Sequence, residues 1–264
     1  MVSKTLHLLS LLHRDPGEFY ERLAGGIGGR WQTAAAIPPL YRLCVPEHGF
    51  SLLSEALGAN ISAILQEPEL DMISSMVEQR ARDSVAQGPF NAVHNGGSLV
   101  ARVCYATTRA LRPNVIVETG VCYGVTSAHF LCALQRNQHG HLHSVDLPPL
   151  AKNGDAFVGS LVPPEFHNGW TLHRGSTRRL LAPLLAALGP IDLFLHDSQH
   201  TLANMRAEFL TVWPALRPGG VLIADDVEGN PAFQELTQRA DTSLALVFRE
   251  PSKGSLFGVA VKVQ

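Results

Sequence analysis

Val115-Ile116-Val117-Glu118-Thr119-Gly120-Val121-Cys122-Tyr123-Gly124 runs from three β-branched residues through an acid into two glycines. The apolar run predicts a short strand buried on both faces of a sheet. Gly120 predicts a tight turn that excludes side chains and lets a ligand approach the backbone. Helical periodicity resumes over 125–135. A strand, a glycine turn and a helix in that order place a ligand beyond the carboxyl end of the strand.

Outward from this segment the same rhythm repeats. β-branched runs at 115–118, 141–146, 170–173, 191–196 and 221–224 alternate with helix-length segments at 125–135, 178–188, 202–216 and 232–240. Such alternation requires right-handed crossovers and a parallel sheet covered on both faces. The rhythm breaks at the end, where 244–248 and 256–263 flank Glu250-Pro251-Ser252-Lys253-Gly254 as a strand–turn–strand hairpin. Before about residue 90 the pattern is helical. Asp15-Pro16-Gly17-Glu18 reads as a helix start, with Asp15 as N-cap, Pro16 in the first turn and Glu18 completing a capping box. Leu70, Ile73, Met76 and Val77 repeat at helical spacing inside 69–87. The glycines of Gly25-Gly26-Ile27-Gly28-Gly29 lack the Lys-Ser/Thr of a phosphate loop, so they read as a connection. The expected organisation is a helical lid, substrate wall or dimer region over 1–90, followed by the sheet domain over 91–264.

Composition narrows the classes. With 264 residues, 45% hydrophobic and 17% charged, the chain can bury a full core. A net charge of −2 lacks the basic excess that nucleic-acid or anionic-membrane binding demands. Cys44, Cys104, Cys122 and Cys132 form no C-x-x-C pair and read as reduced thiols of a cytoplasmic protein. The run Leu6–His13 contains two histidines and meets Asp15-Pro16 rather than a small-residue cleavage site, and no stretch is long enough to span a bilayer.

Glycines followed by an acid suit a nicotinamide cofactor as well as S-adenosylmethionine. The Gly-x-x-x-Gly spacing, and an acid at Glu118 that suits a zwitterionic methionine tail, favour the latter. From about residue 90 onward the chain resembles the class I S-adenosylmethionine-dependent methyltransferases, nearest to the metal-dependent catechol-type and bacterial natural-product O-methyltransferases. The segments that carry the resemblance are Glu118-Thr119-Gly120-Val121-Cys122-Tyr123-Gly124, His143-Ser144-Val145-Asp146, Arg174-Gly175-Ser176, Leu195-His196-Asp197-Ser198-Gln199-His200 and Leu216–Asp226. The resemblance implies a Rossmann-like α/β fold, a mostly parallel seven-stranded sheet with a C-terminal antiparallel hairpin and a helical N-terminal extension. It implies that Asp146 holds the ribose, that Gly175 and Ser176 border the adenine, and that Asn95-Gly96-Gly97-Ser98 lies near the methionine carboxylate. Glu118, Gly120, Gly124 and Asp197 complete the expected cofactor contacts.

Asp197, Asp225 and Asp226 fall at the ends of neighbouring strands, which lie about 5 Å apart. Carboxylates packed so closely repel one another, and a hard divalent ion relieves them: Mg²⁺ first, with Mn²⁺ or Ca²⁺ as alternatives. The competing role for these acids is capping of the following turn and helix. His200, at the expected start of the next helix near Ser198, reads as a general base; a helix end and a nearby cation would keep it neutral. His196 reads as packing, and His139, His141 and His143 lack a third metal ligand. The expected reaction is methyl transfer to a hydroxyl of a small molecule. A metal-independent N- or O-methyltransferase and a non-catalytic S-adenosylmethionine-binding protein are the alternatives. The acceptor's identity is not written in these residues.

Overall fold

A computed structural model describes residues 8–9, 11–13, 15–20, 22–23, 39–84, 88–89, 97–151 and 154–263. The loop 25–29 and the pair Asn95-Gly96 lie outside them.

The helices α1 (Pro46–Leu57), α2 (Ile61–Ile64) and α3 (Pro68–Ser84) come first. Proline in the first turn starts α1, and Gly58 stops it in the left-handed region at φ 63°. Leu70, Ile73 and Val77 of α3 are buried, as their spacing predicts. Earlier, the amide of Glu18 bonds the Asp15 carboxylate at 2.9 Å, the N-cap expected there. The Glu18 side chain departs from the capping box and pairs with Arg22 and Arg174 instead.

After α4 (Ser98–Leu111) follow β1 (Val115–Thr119), α5 (Val125–Asn137), β2 (His141–Asp146), the single turn α6 (Gly154–Phe157) and β3 (Trp170–Arg174). Then come α7 (Thr177–Leu188), β4 (Ile191–His196), α8 (Leu202–Ala215), β5 (Leu216–Ala224), α9 (Ala232–Thr237), β6 (Thr242–Arg249) and β7 (Leu256–Lys262). The seven strands lie in the order β3-β2-β1-β4-β5-β7-β6. β3 through β5 pair in parallel, and β7 joins β5 and β6 antiparallel. The expected α/β sheet and hairpin are both present.

Some bounds differ from the sequence reading. β5 begins at Leu216, five residues early, because Leu216 pairs with Ile191 across a register shift that accommodates Pro218-Gly219-Gly220. The helix begins at Leu202, as the 202–216 segment predicts and not near Ser198, and the Thr201 side chain accepts from the Asn204 amide. His200 therefore precedes the helix.

Alternate strand residues divide the core. Ile116, Leu142, Leu193, Leu195 and Val221 pack with α4, α5 and the helices of 46–84, whereas Val117, Phe194, Leu222 and Ala224 pack under α7, α8 and α9. No helix among the described residues is long and apolar enough to cross a membrane.

Candidate active site

The carboxyl ends of the parallel strands are stitched into one rim. The residue after each strand donates its amide to the end of a neighbour: Gly175 to Asp146 at 2.8 Å, Gly120 to Val145 at 2.9 Å, Asp197 to Thr119 at 2.8 Å, Asp225 to His196 at 2.9 Å. This ladder brings Asp146, Asp197 and Asp225 to one edge. The strand order reverses between β1 and β4, so the rim contains the switch-point crevice where open α/β sheets bind ligands.

Gly120 sits at φ 83°, and a Cβ there would lie 1.9 Å from the Asp197 carbonyl oxygen. The residue that needs this glycine is thus Asp197 of the same chain, where the sequence reading reserved the space for a ligand. Gly124, at φ 93°, is the N-cap of α5, and a Cβ would come within 2.9 Å of the Gly159 Cα. Asp146 accepts from the amides of Val121 and Cys122 through Oδ2, at 2.7 and 3.2 Å, leaving Oδ1 without a hydrogen bond among the described residues. Burial raises its carboxyl above the ordinary range, against the pull of those two amides. Gly175 closes the turn after β3, and Ser176 is the N-cap of α7.

Glu118, Gly97 and Ser98 have partners within the protein that the sequence reading did not foresee. Glu118 is fully buried, and its carboxylate accepts from the hydroxyls of Thr126, Ser127 and Ser144 at 2.6, 2.6 and 2.7 Å. Both oxygens already have partners inside the protein, Oε1 one hydroxyl and Oε2 two. Gly97 and Ser98 do form the start of a helix, but Glu250 already occupies it. The Glu250 carboxylate accepts from the amides of Leu99 and Val100 at 2.9 and 3.1 Å and from the Ser98 hydroxyl at 3.3 Å. A Cβ on Gly97 would strike it at 2.2 Å.

Among the acids at the strand ends stands a histidine that the sequence reading had placed as a neutral base. His200 lies between two carboxylates: Nδ1 is 3.1 Å from Asp226 Oδ2, and Nε2 is 3.6 Å from Asp197 Oδ1. Burial would lower the pKa of this ring, but the two acids override it and push the pKa up to about 10. Held between these carboxylates, the ring is favoured as a donor, whereas the neutral ring expected from the sequence was tied to a helix end and a nearby cation. Asp226 is held below the ordinary range by the His200 hydrogen bond and sits in the left-handed region at φ 50°. Asp225 is pushed above it by burial and then by Asp197 and Asp226. Its Oδ1 is buried with no hydrogen bond, while Oδ2 lies 4.0 Å from Lys253 Nζ. Three carboxylates with an orphaned oxygen suit a hard divalent ion by donor chemistry. Yet among the described residues no group of three or more His, Cys, Asp or Glu side chains is placed so that it could hold a metal ion.

Several participants escaped the sequence reading. His196 is more than packing: its Nδ1 meets Glu208 at 2.7 Å, and its ring stands edge-on to His200 at 5.4 Å. Glu208 also accepts from Thr119, Ser198 and Asn204; burial would raise its pKa, but His196 first and then the Thr119 hydroxyl help hold it near 2. His173 supplies the third imidazole beside His141 and His143, its Nε2 lying 3.2 Å from His143 Nδ1. Glu18, fully buried, pairs with Arg174 at 2.6 Å, and Arg22 donates to the Pro148 carbonyl at 2.6 Å, so both residues reach the β2–β3 side of the rim. Lys253 looked like any solvated hairpin residue. Only the folded hairpin aims it at Asp225.

Known proteins agree with this architecture. Residues 117–227 match the family model for a methyltransferase domain. Over that stretch the chain is similar to a methyltransferase domain, as the sequence resemblance led one to expect. An O-methyltransferase from Bacillus cereus, solved with SAH, superposes with a TM-score of 0.58 at 18% identity, covering 71% of this chain and 90% of that one. The O-methyltransferase TomG from Streptomyces achromogenes, solved with SAM, gives 0.56 at 16% identity over 82% and 96%. In sequence, 56 residues are 39% identical to an 8-demethyl-8-alpha-L-rhamnosyl tetracenomycin-C 2'-O-methyltransferase from Streptomyces olivaceus. That match spans 20% of this chain and only 15% of the relative's length.

Proposed function

We propose that this chain transfers a methyl group from S-adenosylmethionine to a hydroxyl of a small molecule. The carrying observation is the single rim that brings Asp146, Asp197, Asp225, Asp226 and His200 beside the sheet's switch point. The cofactors named in the Bacillus cereus and TomG structures, and the O-methyl chemistry named for all three relatives, support the same reading.

Each residue then has a part. Asp146, anchored through Oδ2, offers Oδ1 to a ribose hydroxyl. The Gly120 and Gly124 turn and the Gly175-Ser176 turn form the walls around the nucleoside. Asp197, Asp225 and Asp226 would hold a divalent ion, Mg²⁺ ahead of Mn²⁺ or Ca²⁺. When bound, that ion would lower the pKa of an acceptor hydroxyl. His200 takes up a proton only where its two carboxylate partners are otherwise neutralised; in the pairing seen here it is a donor. Residues 1–90 act as substrate wall, lid or dimer surface beside the domain of 91–264. Displacement at the sulfonium methyl needs the acceptor oxygen in line and water excluded.

A metal-independent reading has its own observation: the acid cluster is charge-paired by His200 and faced by Lys253. Calorimetric titration with S-adenosylmethionine, then mass spectrometry of a hydroxyl-acceptor panel with and without chelator, decides among these readings. Binding with a 14-dalton gain (roughly one methylene, for a transfer) supports methyl transfer. Activity surviving the chelator selects the metal-independent form, and absent binding removes the proposal. His200→Ala should cut turnover on the order of a hundredfold while sparing cofactor affinity; equal loss of both contradicts a role in proton handling.

A further inference from the structure

We propose that Lys253 binds the carboxylate of the methionine moiety when S-adenosylmethionine enters the rim. The inference deepens the cofactor part of the proposed function and rests on it. That cofactor ends in an α-carboxylate, and a carboxylate leaving water for a crevice needs a cation or several N–H donors. The sequence reading expects it at the start of α4. There the Glu250 carboxylate already accepts from the Leu99 and Val100 amides and the Ser98 hydroxyl. A second carboxylate brought to the same donors meets a like charge. Other cations are committed elsewhere. Arg174 and Arg22, at the β2–β3 side of the rim, pair with Glu18, and Lys262 donates to the Trp213 and Leu216 carbonyls at 2.9 and 2.7 Å.

Lys253 belongs to the turn between β6 and β7, and this turn is fixed at its base. The Ser252 amide and hydroxyl donate to the Glu250 carboxylate at 3.1 and 2.6 Å, and the Gly254 amide donates to the Glu250 carbonyl at 2.7 Å. Residues on both sides of Lys253 are thus tied to the residue that fills the start of α4. From that base the side chain is one-fifth exposed, and its ammonium stands 4.0 Å from Asp225 Oδ2. That is ion-pair range but too long for a hydrogen bond, so its three N–H donors are unused among the described residues. The lysine charge also acts on the Cys122 thiol, in the Gly120–Gly124 turn, and on Asp226. The ammonium therefore faces the ends of β1 and β5, which flank β4 at the switch-point crevice. A ligand carboxylate arriving there gains a charge-assisted hydrogen bond without first breaking one.

The test is calorimetric titration of S-adenosylmethionine, and of decarboxylated S-adenosylmethionine, into the purified full chain and its variants. Lys253→Met keeps the length and removes the charge. It should weaken S-adenosylmethionine on the order of tenfold, as the loss of one hydrogen bond to a charged group does. Lys253→Arg, which restores charge and donors, should recover most of that loss. The decarboxylated analogue has nothing to offer the ammonium, so it should bind Lys253→Met as well as the parent or more tightly. Lys253→Gln replaces the methionine variant if that one fails to fold. An unmoved S-adenosylmethionine affinity in the neutral variant overturns the proposal. So does an equal loss for both ligands, which would make Lys253 a structural support only. Failure of the parent itself to bind S-adenosylmethionine strikes the methyltransferase reading and this assignment with it, whereas a failure confined to the variant series strikes the assignment alone.

Discussion

Glu118 carries a carboxyl where no water reaches it, with three hydroxyls around it. Burial, partly offset by those hydroxyls, raises its pKa from 4.5 to about 7. Below its unfolded pKa the group is protonated in both states and costs nothing. Between the two values the folded chain keeps a proton that the unfolded chain has lost, so stability falls as pH rises and levels off above about 7. Glu118→Gln keeps partners for the hydroxyls and removes this dependence. Its melting temperature should rise relative to the parent's between about pH 5 and pH 8; a constant difference across that range refutes the buried titration. Gly120 makes the second residue-scale case. Gly120→Ala places a Cβ against the Asp197 carbonyl at a left-handed backbone position. It should lose about 3 kcal/mol in urea unfolding and weaken cofactor binding, because Asp197 has to move.

At the scale of elements, the hairpin and the first core helix act together. The start of α4 leaves amides that need an acceptor, and its N-cap residue Gly97 has no side chain to supply one. Glu250, more than 150 positions away, supplies it, and its carboxyl is held below the ordinary range by Ser252 and the α4 amides despite burial. Glu250→Ala should therefore cost about 2 kcal/mol in chemical denaturation, as the loss of a strong cap does. The same variant should release the 250–254 turn, seen as faster amide exchange in Ser252 and Gly254. Unchanged exchange would show that the turn holds itself.

Across the whole molecule, the helices of 46–84 and the sheet share one core. Phe248 of β6 is fully buried, stacked between Phe50 of α1 at 6.0 Å and Phe257 of β7 at 5.3 Å. A Cβ on Gly49 would already sit 2.3 Å from its ring. Phe248→Ala should destabilise by about 3–5 kcal/mol, with the fluorescence and circular-dichroism transitions still coincident. Separated transitions would instead mark the N-terminal helices as an independent folding unit.

The alternation of strands and helices, the hairpin, and the acids at strand ends were legible because each follows from local periodicity or from a residue's place at the end of a run. His141–Asp146 and Ile191–His196 were delimited to the residue, since each starts after a glycine or proline and ends at a polar residue before a turn. Local pattern carries no information about what fills a helix start or faces a carboxylate from a distant loop. That Glu250 takes the place offered by Gly97 and Ser98, that Glu118 turns inward, and that His200 and Lys253 bring positive charge to the acids depend on contacts between segments far apart in the chain. Electrostatics acts through space, so the folded chain decides the charge state of the site.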